Sequence, residues 1–118
     1  MSEFAEDIVT SALKAVERHD LTALEKFFSA DVVYQDPHLM REGRENLITF
    51  ISQQPQGASM TWQVNSIVSK NGVVFTERTD AYVAQGRRVS VSIVGVFDVA
   101  MDGKITRWRE YYDPSQVE

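Results

Sequence analysis

Apolar positions along this chain keep two different rhythms, and the change between them falls near the midpoint. From about Glu3 to Arg18, the residues Phe4, Ile8, Val9, Leu13 and Val16 recur at the three-and-four spacing of an amphipathic helix. Asp20 reads as the N-cap of a second helix that turns Leu24, Phe27 and Phe28 inward. "DVVYQDP" is a short extended piece stopped by Pro37, because proline disfavours helix in the residue before it. Gly43 leads into "RENLITFISQQ", a third helix with Leu47, Ile48, Phe50 and Ile51 on its buried side. Beyond Pro55 and Gly57 the spacing becomes that of strands.

Hairpin signals punctuate the second half. "SMTWQVNSIVSK" meets "GVVFTERTDAYV" across Asn71-Gly72, a strong cue for a two-residue turn. "RRVSVSIVGVFDV" follows Gln85-Gly86, and "KITRWREYYD" follows Asp102-Gly103. Three hairpins in succession predict four long antiparallel strands after three helices. That order predicts an α+β fold, a curved antiparallel meander with helices packed on one side. The other sheet face is then free for solvent or a partner.

The alternation raises one question about charge. Val74, Thr76, Arg78, Asp80 and Tyr82 share one strand face; Val73, Phe75, Glu77, Thr79, Ala81 and Val83 share the other. The second set is the more apolar, so periodicity taken alone buries it and leaves Arg78 and Asp80 in water. The next strand weakens that reading, because Val89, Val91, Ile93 and Phe97 alternate with a set that itself turns apolar at Val94 and Val96. The last strand carries Trp108, Glu110 and Tyr112 on one face and Ile105, Arg107, Arg109 and Tyr111 on the other. A sheet covered on both sides, by helices and by a second subunit, would hold Arg78, Asp80 and Glu110 in a pocket.

Composition narrows the chemistry. A chain of 118 residues, 43% hydrophobic and 25% charged, suits one globular domain spanning 1–118. The net charge of -5 and the lack of a basic run argue against nucleic acid as a partner. There is no cysteine, which rules out disulfides, thiol nucleophiles and cysteine-bound metals. No apolar run approaches the roughly 18 residues of a membrane helix, and "MSEFAEDIV" does not read as a signal peptide. The expectation is a cytoplasmic protein that needs no membrane. His19 and His38 are too few for a metal site; the former suits a helix C-terminus and the latter a surface loop. "SVS" at Ser90 to Ser92 lacks a glycine elbow and a histidine partner, so no serine nucleophile is expected.

The pattern "ERTD…VSIVGVFDV…DGKITRWREYYD", with "VVYQDP" upstream, resembles the limonene-1,2-epoxide hydrolase family over almost the whole chain. That family lies within the SnoaL-like, nuclear-transport-factor-two-like group of cone-shaped, cystatin-like α+β folds. The resemblance implies an apolar pocket with an Arg-x-Asp pair at its floor, matched here by Arg78 and Asp80. It implies a second carboxylate at Glu110, where the family pattern has aspartate, and a water-holding pair at Tyr34 and Asp36, where the second position is asparagine in the family. The implied reaction opens an epoxide to a vicinal diol in one step, with no cofactor, metal or covalent intermediate. Asp80 would donate a proton to the epoxide oxygen, Glu110 would take one from water, and Arg78 would sit between them. Homodimers through the outer sheet face are a further implication.

Pocket walls follow from the same alternation: Leu13, Val16, Leu47, Ile51, Val91, Ile93 and Phe97, with Tyr82 near the mouth. The expected partner is a small, mostly apolar molecule. Trp62 and Trp108 read as core or interface aromatics. The short "DPSQVE" tail predicts little lid over the cavity. Two other readings stay open. One is an isomerase or cyclase of the SnoaL or ketosteroid-isomerase type, with Asp36 as general base. The other is a small-molecule-binding protein without catalysis.

Overall fold

Backbone torsions at the turns explain how the second half folds. The computed structural model describes residues 2–54 and 60–117. In it Asn71 and Gly72 both take positive φ, 53° and 80°, as do Gln85 and Gly86, 53° and 75°. Two left-handed residues in succession match the twist of the flanking strands, which is why these hairpins close in two residues. The third turn closes when the Gly103 N–H donates to the Ala100 carbonyl at 2.9 Å.

The chain runs α1 (Ser2–Glu17), α2 (Leu21–Phe27), β1 (Phe28–Gln35), β2 (Met40–Glu42), α3 (Arg44–Ser52), β3 (Met60–Lys70), β4 (Val73–Ala84), β5 (Arg87–Val99), β6 (Ile105–Tyr111) and a 3-10 turn (Pro114–Val117). The expected break at Pro55 and Gly57 lies outside the described residues. The fold is α+β, with three helices against a curved six-stranded sheet in the order β2-β1-β6-β5-β4-β3. Asp20 caps α2, its Oδ1 accepting the Ala23 N–H at 3.2 Å.

"DVVYQDP" is more than a short extended piece. It belongs to the eight-residue β1, which pairs in parallel with β6, so the sheet is antiparallel everywhere except at that junction. Phe28 opens this strand. Its backbone is already extended, and its N–H caps α2 on the Leu24 carbonyl. The core joins Val9, Ala12 and Val16 of α1, Leu24, Phe28, Val32 and Leu47 to Phe97, Ile105 and Trp108 of the sheet. Phe4, placed on the inward face of α1 by spacing, is 47% exposed and lies against the Gly103 turn.

Strand β4 reverses the assignment made from periodicity. Val74, Thr76, Arg78 and Asp80 face inward, with Arg78 only 1% exposed, while Phe75 and Val83 face out. The apolar count of a face does not decide its side when the polar face is matched by partners from other elements. On β6 a bulge at Thr106 shifts the register, so Ile105 and Trp108 both turn to the core.

A candidate active site under the helices

The parallel pairing of β1 with β6 builds one side of the site. It sets Tyr34 beside Trp108 and Gln35 beside Arg109, so the residue after β1, Asp36, arrives near Glu110. Asp36 turns the chain: its Oδ1 accepts the backbone N–H groups of His38 and Leu39 at 2.8 and 3.0 Å. Its Oδ2 accepts the Tyr34 hydroxyl at 2.8 Å. The Tyr34 oxygen, having donated its proton, is left as an acceptor toward the cavity.

The other side comes from β4, where Arg78 is gripped by two carboxyls. Its Nε and Nη2 donate to Asp80 at 2.6 and 3.0 Å. Its Nη1 donates to Glu110 Oε2 at 3.2 Å and its Nη2 to Glu110 Oε1. The guanidinium lies 4.2 Å beneath the Trp62 ring, a cation–π roof that excludes water. Such a buried network persists because each charge meets hydrogen-bonded partners.

Electrostatics follow from that enclosure. Burial works against the Arg78 charge, yet Glu110 and Asp80 outweigh it and hold the guanidinium protonated. Burial pushes both carboxyls up; the hydrogen bonds and charge of Arg78 pull them down, and burial wins for each. One guanidinium neutralises one carboxylate, so the buried trio is neutral when it keeps a single carboxyl proton. Burial, then Glu110 and Asp36, push the Tyr34 hydroxyl far above its usual range, so it stays a phenol. Tyr112 is pushed up to about 12, first by burial. The Trp108 indole N–H lies close enough to lower the Glu110 carboxyl but meets no partner with hydrogen-bond geometry.

These groups open onto a cavity of about 380 Å³, within the usual range for small-molecule sites. Tyr34, Asp36, Asp80 and Glu110 line it, and Arg78 lies sealed beneath. Of the expected walls, Val16, Leu47, Ile51, Tyr82, Val91 and Ile93 are present. Leu13 and Phe97 are not: both are buried in the core, Phe97 stacked at 5.3 Å on Trp108 and so behind the wall. Periodicity gives the inward face of an element but not how deep a residue lies along it.

Several residues were assigned elsewhere by sequence reasoning. Trp62 and Trp108 line the cavity as well as the core. His38 also lines it, so it is more than a surface residue, and is exposed beside Tyr112; His19, just after α1 as expected, lines it as well. Phe50, Leu39, Met60 and Tyr112 were missed as walls. Tyr112 shares the Trp108 and Glu110 face, a signal that was readable. The tail contributes more than expected: Gln116 accepts the Ser92 N–H at 3.0 Å, and Val117 reaches the cavity. Among the described residues no group of three or more His, Asp or Glu is placed to hold a metal.

The model of the limonene-1,2-epoxide hydrolase catalytic domain matches residues 4–117. The chain belongs to the limonene-1,2-epoxide hydrolase family. It is 30% identical over 106 residues to epoxide hydrolase EphG of Mycobacterium tuberculosis, covering 89% of this chain and 70% of that protein. Among solved structures, an LEH-like epoxide hydrolase of M. tuberculosis superposes with a TM-score of 0.85 at 28% identity, over 98% of this chain and 86% of the other. An NTF2-like protein of unknown function from Cytophaga hutchinsonii matches at 0.81 and 18% identity, over 96% and 93%. That likeness shows the shared fold of the superfamily and nothing about chemistry. No helix among the described residues is long and apolar enough to cross a membrane.

Proposed function

We propose that this protein hydrolyses a mostly apolar epoxide to a vicinal diol by direct attack of water. The observation that carries this reading is the pair of carboxyls, Asp80 and Glu110, forked onto one buried guanidinium at the edge of an apolar cavity. A neutral trio supplies one acid and one base together. Asp80 donates its proton to the epoxide oxygen as the C–O bond breaks. Glu110 accepts a proton from the water that attacks the ring carbon from the far side. Tyr34, its own proton fixed on Asp36, accepts the other hydrogen of that water, which leaves a lone pair aimed at carbon. Product release and one proton passed from Glu110 to Asp80 restore the site.

The state of Asp36 favours hydrolysis over an isomerase in which Asp36 is the base. Its Oδ1 is filled by two backbone N–H groups, and its Oδ2 already binds Tyr34. Such a carboxylate is built to position rather than to take a substrate proton. Turnover of cyclohexene oxide or limonene oxide in ¹⁸O-water tests the reading. Hydrolysis gives a diol with one labelled oxygen; an isomerised product without label, or no product across a panel of epoxides filling the cavity, overturns it.

We also propose that two copies pair through the outer sheet face. Phe75 of β4 stands opposite Val68, and Val94 of β5 opposite Tyr111, and all four are exposed.

A further inference from the structure

Two carboxyls on one guanidinium are nearly equivalent, yet epoxide opening needs them unequal: Asp80 with a proton, Glu110 without. Depth alone orders them the wrong way. The Glu110 side chain is 4% exposed and that of Asp80 10%, and the deeper group is the one burial would keep neutral. Arg78 binds both, so it does not choose between them.

A third carboxylate breaks the symmetry. Glu17 closes α1, and its Oε2 accepts the Trp62 backbone N–H at 2.7 Å. β3 is an edge strand, so an N–H turned away from β4 has no strand partner, and Glu17 supplies one. Trp62 stands opposite Asp80 in the β3–β4 register, and its ring roofs Arg78. The one hydrogen bond therefore seats that roof and brings a negative charge to the Asp80 side of the trio. The charge of Glu17 acts upward on the Asp80 carboxyl and not on Glu110, which Arg78 and the Trp108 indole pull down and Asp80 pushes up.

We propose that Glu17 is a positioning residue that assigns the proton of the site to Asp80, by binding a carboxylate to the β3 residue opposite it and by seating Trp62 over Arg78. The inference rests on the hydrolysis reading above. Glu17 touches neither substrate nor reacting atoms and works through its two neighbours. The other ionisable groups around Asp80 are Arg78 and Tyr82 on its own strand and Glu110 from β6. His19, from the corner between α1 and α2, Tyr34, Asp36 and His38, from β1 and its turn, and Tyr112 after β6 line the same cavity.

Substitution separates the two contributions. Glu17→Gln keeps an oxygen for the Trp62 N–H and removes the charge; Glu17→Asp keeps the charge. In Glu17→Gln the alkaline limb of the kcat/KM profile moves to lower pH, so activity on that limb falls about threefold or more while activity on the acid side is retained. Glu17→Asp keeps the wild-type limb. Carboxyl ¹³C NMR of the ligand-free protein follows the same proton without turnover, and the Asp80 midpoint moves down in Glu17→Gln. A folded Glu17→Gln protein with an unchanged limb and an unchanged Asp80 midpoint overturns the proposal. So does a Glu17→Asp limb displaced as far as that of Glu17→Gln. If the wild type makes no labelled diol, the hydrolysis reading falls, and the Asp80 midpoint still decides the role of Glu17.

Discussion

At the scale of single residues, the site trades stability for chemistry at Asp80. Its carboxyl is held above the ordinary range by burial, so the folded protein binds a proton that the unfolded chain has already released. Folding stability then falls as pH rises from the unfolded carboxylate value toward the folded one. Asp80→Asn lacks that slope and keeps the Arg78–Glu110 pair. Turnover in Asp80→Asn is expected to fall by about 10²- to 10⁴-fold, with a melting temperature equal to or above the wild type and a gap that widens with pH across that window. A variant that melts well below the wild type at neutral pH would show that the ionised pair with Arg78 stabilises the fold. Strand alternation identified these residues but not their side, which only the family resemblance implied. Arg78 and Asp80 lie on the less apolar face of β4, and only partners from β6 and β3 make that face an interior.

At the scale of elements, the strand register decides what Glu110 can do. Gly95 of β5 stands opposite Glu110 of β6. A Cβ at Gly95 would meet Glu110 Oε2 at 2.7 Å and Thr76 Oγ1 at 2.9 Å. The carboxylate has little freedom to yield, since both its oxygens are bound to Arg78. Gly95→Ala should therefore displace this carboxylate and, if it is the base proposed above, lower kcat/KM by about a hundredfold for a shift near an ångström. Glu110→Asp in that background, one methylene shorter, should restore part of the loss. Full activity in the single variant would mean that the base does not need its place on Arg78. The hairpins of this sheet were legible because Asn71-Gly72 and Gln85-Gly86 specify their own turns. The β1–β6 pairing was not, because parallel neighbours far apart in sequence share no local turn signal.

At the scale of the whole molecule, the sheet has a cavity on its inner side and an exposed apolar patch on its outer side. Val68, Phe75, Val94 and Tyr111 form the exposed patch, and a stable pair would bury about 800 Å² on each copy. Light scattering is expected to give twice the chain mass, and Val94→Asp with Phe75→Glu to give the single-chain mass with the fold retained. A wild-type protein with the mass of one chain at micromolar concentration would remove the pairing.

By itself the sequence determined the α+β order, the helix faces around Leu24, Leu47 and Val16, the three hairpins, and the residue types able to open an epoxide. These are local properties, set by period, caps and turn torsions within a few residues. Only the tertiary structure decided which strand pairs with β6 and so brings Asp36 toward Glu110, and that Glu17 binds the Trp62 N–H opposite Asp80; it also settled that the Arg78 face of β4 is the interior one. A two-residue period defines two faces without ranking them. The ranking comes from partners that distant segments deliver, because a charge can be buried only where such partners meet it.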